Sequence, residues 1–269
     1  MEGTWNTPVV RCFAAGERTE VDDVVAVEEP LEIRVVEGGE RRTLSVTMRT
    51  PGADADLARG FLFTEGAIAT ADALGQIHEQ PHAVDVHLRT PLRADWAQLE
   101  RHVYVSSSCG VCGKTSLDAV RQTCAYPAPE CTVAPAVLRS LPDRLRQAQR
   151  AFATTGGIHA AGWFALDGTL LAHAEDVGRH NALDKLIGRL LHEGNIPLAP
   201  GIVLLSGRAS FELIQKARLA GAAIVAAVGA PSSLAVELAA DGNLTLAGFV
   251  RNDRFNVYSG AHRIEPERP

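Results

Sequence analysis

Two cysteines two residues apart in a glycine loop, Cys109-Gly110-Val111-Cys112-Gly113, are the sharpest chemical signal in the chain. The glycines let both thiols lie close to backbone N–H groups and to the start of a following helix. Those donors favour thiolate over thiol and lower a pKa from its free value of about 8.5. Several readings compete. A thioredoxin-like dithiol needs the motif directly after the first strand of a βαβ unit, whereas here it follows a strand-rich stretch of chain. A structural zinc needs four ligands, which Cys124 and Cys131 would complete. However, Cys124 fits the buried face of its own helix, and Cys131 follows two prolines. Ser106-Ser107-Ser108 and the glycines argue for exposure and against two inert buried cysteines. An exposed, reactive thiol is the favoured reading.

A second constellation lies in three polar turns: Asp176-Val177-Gly178-Arg179-His180-Asn181, Ser206-Gly207-Arg208-Ala209-Ser210 and Gly229-Ala230-Pro231-Ser232-Ser233. Each follows an expected strand and precedes an expected helix, where free N–H groups and the helix dipole favour anions. In wound α/β sheets such turns gather at one edge. Arg179 and Arg208 would add charge-assisted contacts to phosphate. Gly178, Arg179, His180, Ser206, Gly207, Arg208 and Ser232 are therefore candidates for holding a phosphate-rich ligand. For any single turn, N-capping through Ser210 or Ser232 is the better account; three such turns on one edge, two with arginine, favour the ligand. His159 is either a site residue or a half-buried strand histidine. Asp176, His180 and Asp184 share one helix face, either as a metal or acid/base group or as a solvated, capping face.

The elements that must position these groups fall into two styles. Before the cysteine loop the chain reads as strands: Val24–Val27, Leu31–Val36, a turn at Gly38-Gly39, Thr43–Met48, His82–Leu88 and His102–Ser106. A helix from Asp54, with Asp54 or Asp56 as N-cap, interrupts them. After the loop, Leu117, Val120 and Cys124 mark a helix, and Ala134–Arg150 another with Pro142 as a kink or break. Ile158–Ala165 and Thr169–Ala174 form a hairpin about Asp167-Gly168. Strands at Ile202–Leu205, Ala222–Val228 and Leu244–Val250 then alternate with helices at Val177–His192, Ser210–Ala220 and Ser232–Ala240. That order predicts an α/β class: a C-terminal three-layer α/β/α domain with a largely parallel sheet, preceded by a strand-rich N-terminal region. The expected divisions are 1–108 (strand-rich domain), 109–150 (cysteine loop and helical connection) and 151–269 (α/β/α domain).

At 269 residues, with 46% apolar and 22% charged residues, the composition is that of a globular protein. A net charge of −6 argues against a surface devoted to nucleic acid. No stretch reaches the roughly 20 apolar residues of a membrane span. The odd count of five cysteines and an N-terminus without signal-peptide character lead us to expect reduced thiols and a cytoplasmic protein.

The segments EEPLEIRV, MRTPGADADLARGFLFTEG, SSSCGVCGKTSL, FATTGGIHAAGWF, EDVGRHNALDKLIG, LLSGRASFELIQKA, AAVGAPSSLAVELA and LAGFVRNDRFNVYSG occur in this order. Together, from Glu28 to Gly260, they resemble the formate dehydrogenase accessory sulfurtransferase family, FdhD/NarQ. The resemblance implies a C-terminal domain similar to the cytidine deaminase fold. It also implies a sulfurtransferase that takes sulfur from a cysteine desulfurase as a cysteine persulfide. The recipient is the molybdenum bis(molybdopterin guanine dinucleotide) cofactor, and the sulfurated cofactor serves formate dehydrogenase. Cys109 matches the family's persulfide cysteine and Cys112 its second cysteine. Phe249-Val250-Arg251-Asn252-Asp253-Arg254 matches the stretch associated with the guanine dinucleotide, for which GDP is a partial analogue. Ala174 stands where a basic residue is expected and Gly229 where serine is. A homodimer is implied as well, with two-fold symmetry suiting a two-fold cofactor. Zinc deaminases need His-x-Glu and Pro-Cys-x-x-Cys at successive helix starts, and neither the 176–181 nor the 206–210 turn carries those cysteines. The rival to sulfur transfer is a non-catalytic chaperone that only binds the molybdenum cofactor.

Overall fold

The computed structural model describes residues 3–93 and 126–267. Among the described residues there are three β-sheets. A two-stranded ribbon pairs β1 (Thr4–Cys12) with β2 (Arg18–Ala26). A four-stranded sheet, in the order β4-β3-β6-β5, joins β3 (Glu29–Glu37), β4 (Glu40–Arg49), β5 (Leu74–Gln80) and β6 (Ala83–Leu88). The β3–β4 turn is Gly38-Gly39, with φ of 58° and 89°, the left-handed pair that a two-residue hairpin needs.

The third sheet has six strands in the order β12-β11-β10-β9-β7-β8. They are β7 (His159–Phe164), β8 (Leu170–Asp176), β9 (Ile202–Leu205), β10 (Ile224–Ala227), β11 (Thr245–Gly248) and β12 (Asn256–Ser259). The sheet is mixed, which corrects the expectation of a largely parallel one. Only the pairings β9–β10 and β10–β11 are parallel, while β7–β8, β7–β9 and β11–β12 are antiparallel. The hairpin about Asp167-Gly168 turns β8 back on β7, so neither strand needs a helical crossover.

Helices cover both faces of this sheet. On one side lie α4 (Arg179–His192), α5 (Phe211–Leu219) and α6 (Ser233–Asp241), packed on Ala161, Val203, Leu205, Val225, Ala227 and Leu246. Successive right-handed crossovers in one direction place α5 and α6 on the same face. On the other side, α2 (Pro135–Ala148) sets Leu138, Leu141 and Leu145 against Ala160, Ile202, Leu204, Ile224, Ala226 and Ala247. Of the kink or break expected at Pro142, the break does not occur: one helix runs from Pro135 to Ala148. Its three buried leucines keep the helix seated despite the lost N–H donor. A short helix, α3 (Arg150–Thr155), follows. The described part is thus α/β with three layers after a strand-rich N-terminal region.

The N-terminal region is not separately cored. α1 (Asp54–Thr64) lies between the four-stranded sheet and α4, and Leu31, Ile33, Leu57 and Leu62 join one apolar cluster with Leu183, Leu186 and Ile187. The two helices meet backbone to backbone. A Cβ added at Gly60 would stand 1.9 Å from the Asp184 carbonyl oxygen, and one at Gly188 would stand 1.9 Å from that of Asp56. The N-cap of α1 is Ala53, in the left-handed region at φ 54°, with no side-chain cap. Asp54 and Asp56 instead face arginines: Asp54 takes a two-point contact from the buried Arg49 at 2.8 and 2.9 Å, and Asp56 pairs with Arg59. No helix among the described residues is long and apolar enough to cross a membrane.

Candidate functional site

Parallel strands deliver their carboxyl ends to one edge, and here β8, β9, β10 and β11 all end on the same side. Along β9 and β10 every second residue faces α2. The series Leu204 to Ser206 and Ala226 to Val228 therefore leaves the sheet on that face. Beyond it α2 no longer covers the strand ends, and a cleft of about 650 Å³ opens. Its floor is Ser206 and Val228. One wall is the α2 stripe Asp143, Arg146 and Gln149, and the other is the turn after β11, Val250 to Arg254.

That turn is tightly built. Phe249 adopts φ 53°, rare for a bulky residue, while its N–H bonds the Gly229 carbonyl at 3.1 Å. The Arg251 guanidinium donates to the carbonyls of Val228 (2.7 Å) and Val250 (2.9 Å), fixing the turn to the strand ends. Asn252 donates to Asp143 at 2.7 Å and bridges the two walls. Arg254 is three-quarters exposed, and among the described residues its guanidinium has a 3.6 Å contact to the nearly as exposed Asp253. Ser206 is bound to β7 on both sides, its Oγ accepting from the Ala160 N–H at 2.8 Å and its own N–H donating to the Ala160 carbonyl.

Of the sequence candidates, Ser206, Val250, Arg251, Asn252, Asp253 and Arg254 line this cleft, and Phe249 precedes its second wall. Gly178, Arg179, His180, Gly207, Arg208 and Ser232 belong to the same edge but are not part of the cleft lining. Most of them gather at the starts of α4 and α5. There His180 Nε2 lies 2.9 Å from Glu212 and 3.3 Å from Ser210 Oγ. The His180 hydrogen bond holds the Glu212 carboxyl below the usual carboxylate range. Gly207 leaves room for the His159 ring, which an added Cβ would approach to 3.3 Å. Burial lowers the His159 pKa, and the neighbouring Arg179, His180 and Arg208 push it the same way. The Nε of Arg179 is buried and has no partner among the described residues. Ser232 caps α6 by accepting from the Ala235 N–H, whereas Ser210 turns its hydroxyl to His180 and makes no cap. Cys109 and Cys112 lie outside the described residues, as do Cys124 and the strand expected at 102–106.

Asp176, His180 and Asp184 do not form one group. Asp176 is fully buried and pairs with Lys185 at 2.8 Å, while accepting from the N–H groups of Gly178 and Thr50 and from Asn181. Asp184 is paired with Lys216, both of whose contacts to it are 2.9–3.0 Å, and accepts from Thr64 at 2.8 Å. Burial pushes the Asp184 carboxyl up. Burial also works against the Lys216 charge, but Asp184 and Glu65 outweigh it and raise the Lys216 pKa. These pairs stitch β4 and α1 to α4 and α5.

Sequence reasoning missed the α2 contribution. The only signal was a polar stripe at 143, 146 and 149, spaced by three, flanking the buried Leu138, Leu141 and Leu145.

A model of the FdhD/NarQ family matches residues 26–265. The chain is 50% identical over 269 residues to the sulfur carrier protein FdhD of Streptomyces avermitilis, covering 95% of this chain and 94% of that one. It is 46% identical to the protein of the same name from Mycobacterium tuberculosis, covering 95% and 96%. A crystal structure from Desulfotalea psychrophila, described as a formate dehydrogenase accessory protein, has the same fold. Its TM-score is 0.80 at 24% identity, over 97% of this chain and 99% of that one.

Proposed function

Because this chain belongs to the FdhD/NarQ family, we propose that it is a sulfur carrier in the maturation of formate dehydrogenase. Sulfur reaches it from a cysteine desulfurase. The Cys109 thiolate attacks the outer sulfur of the donor persulfide, the donor S–S bond breaks, and the donor cysteine leaves as thiolate. Cys109 then carries the persulfide, and Cys112 is the second thiol of the pair. The recipient substrate is molybdenum bis(molybdopterin guanine dinucleotide). Its metal gives up the two electrons that break the carrier S–S bond and takes the outer sulfur as bound sulfide, and the Cys109 thiolate is released.

The cofactor's guanine nucleotide arm enters the 650 Å³ cleft. Arg254 at its mouth, and Arg179 and Arg208 at the adjoining helix starts, offer charge to phosphate. The protein acts as a homodimer, so that two such edges meet the two halves of the cofactor. Its mass in light scattering is then twice the 28.6 kDa of one chain.

The observation that carries this reading is near-full-length identity to proteins named sulfur carrier protein FdhD. Intact mass after incubation with cysteine and a desulfurase tests it. One sulfur atom is gained, reductant removes it, and Cys109→Ala gains none. A Cys109→Ala variant that still activates formate dehydrogenase would show a cofactor-binding chaperone instead.

A further inference from the structure

At the end of β11 away from the cleft, a cation is buried short of acceptors. Arg263 is fully buried, and its Nη1 donates to the Asn243 carbonyl at 2.8 Å. Its Nε and Nη2 are buried too and meet no hydrogen-bond partner among the described residues. A guanidinium does not lose its proton, so these bare donors bear their full desolvation cost. The main chain brings Cys131 to the same place. The Val133 N–H donates to the Arg263 carbonyl at 2.9 Å, Val133 bridges Ile264, and Cys131 and Ile264 pack on one apolar cluster. The Cys131 thiol is free and half-buried, and the Arg263 side chain reaches it with its charge and a hydrogen bond. Burial raises the Cys131 pKa, Arg263 pulls it down part of the way, and Glu130 adds to the rise. The resting group is thus a neutral thiol, whose sulfur is a weak acceptor. The bare donors are sealed from water, so what can reach them is an atom built onto the neighbouring sulfur. The guanidinium is planar and compact, and an oxygen one bond out from Sγ is of the right size.

We propose that Cys131 is a modification site for hydrogen peroxide, which converts its thiol to a sulfenate held by Arg263. The thiol gives its proton to water, and the thiolate attacks one peroxide oxygen. The O–O bond breaks and hydroxide leaves, then takes the proton of the sulfenic acid. The products are sulfenate and water: sulfur is oxidised by two electrons and peroxide is reduced by two. The new oxygen carries the negative charge that the guanidinium lacks, and it accepts from N–H groups far better than sulfur does. This site is separate from the sulfur-carrying chemistry proposed above and does not depend on it.

Peroxide treatment of the full chain tests it. Samples quenched in denaturant with dimedone, which caps sulfenic acids, carry the cap on the Cys131 peptide, and a thiol reductant added before the quench removes it. Because oxidation gives buried donors their acceptor, treatment raises the melting temperature by about 2–4 °C, a rise that Cys131→Ser does not show. Cys131→Asp sets a carboxylate beside the guanidinium without any oxidant, and melts higher than the native chain. In Arg263→Met the capped Cys131 falls about tenfold, as oxidation runs on to sulfinic acid. Where Arg263→Met does not fold, the other arms decide. No cap on Cys131, a melting temperature that falls on treatment, a rise shared by Cys131→Ser, or a Cys131→Asp chain less stable than the native one would each overturn the proposal.

Discussion

The two faces of the six-stranded sheet are built to opposite rules. On the α4 side, the two buried lysines are both paired. Lys216 sits between Asp184, Glu65 and Thr64, and Lys185 between Asp176 and the Thr50 carbonyl. Where α1 and α4 touch through Gly60 and Gly188 there is no room for even a methyl group. On the α2 side, at the strand ends, the Gln149 amide nitrogen is buried with no partner among the described residues, and Arg254 stands in solvent. The first face holds the molecule together. The second leaves polar capacity unspent, and unspent capacity is what a ligand can use.

Substitutions on the closed face should therefore cost stability, and those in the cleft should not. The largest effect is expected at Gly188→Ala. The new methyl falls 1.9 Å from the Asp56 carbonyl oxygen, a backbone atom that can move only if the helices part. Thermal unfolding should show a loss of about 4 kcal/mol or more. A near-native melting temperature would mean that the two helices are not in backbone contact.

Lys216→Met comes next. It strands a buried carboxylate, and urea unfolding should show a loss of about 3 kcal/mol. That is the lower end for a broken buried pair, because burial already pushes Asp184 toward its neutral form and a proton can replace the lysine. The deficit should accordingly shrink at acid pH. A deficit that grows as pH falls would contradict this arrangement.

How much of this contrast could be read from the chain depends on how local each part is. The turns after β8, β9 and β10 were legible, because a glycine, a serine and a helix start sit together in sequence. The gathering of those turns at one edge followed from strand–helix alternation. Strand direction was less legible: the antiparallel β12 is short and exposed, and its pattern carries no buried face. The α1 N-terminus misled because Asp54 reads as a cap by residue type, while its tertiary partner Arg49 took the carboxylate. Gln149 was invisible for a similar reason. Its place in the cleft depends on the end of α2 lying over the ends of β9 and β10, more than fifty residues away in the chain, a placement that no local spacing encodes. The same holds for Lys185 and Lys216, which read as surface residues until α1 covers them.

A smaller effect is expected from pH. The folded-state pKa of His159 lies below its ordinary value near 6.5, first through burial and then through Arg179, His180 and Arg208. The unfolded chain therefore binds the proton more readily. The contribution of His159 to stability is fully present above pH 6.5 and is lost as pH falls through the depressed folded value. His159→Asn should flatten that acid limb in urea melts taken between pH 7.5 and 5. An identical limb in the variant would assign the acid loss to other groups.

The smallest change belongs to the cleft. Asn252→Ala removes the 2.7 Å bond to Asp143, which is exposed to water. Stability should move by less than about 1 kcal/mol in urea unfolding. A loss as large as that at Lys216 would show that the cleft wall is structural.

The claim that the cleft, rather than the α1–α4 joint, meets the substrate is tested most directly by amide hydrogen exchange with and without GDP. Protection should rise across 142–154 and 249–254 and stay unchanged across 54–64 and 183–192. Protection confined to the turn at 50–53 and the adjoining 185–189, which line a separate cavity of about 260 Å³, would place the nucleotide on the wrong side of the sheet and contradict the account.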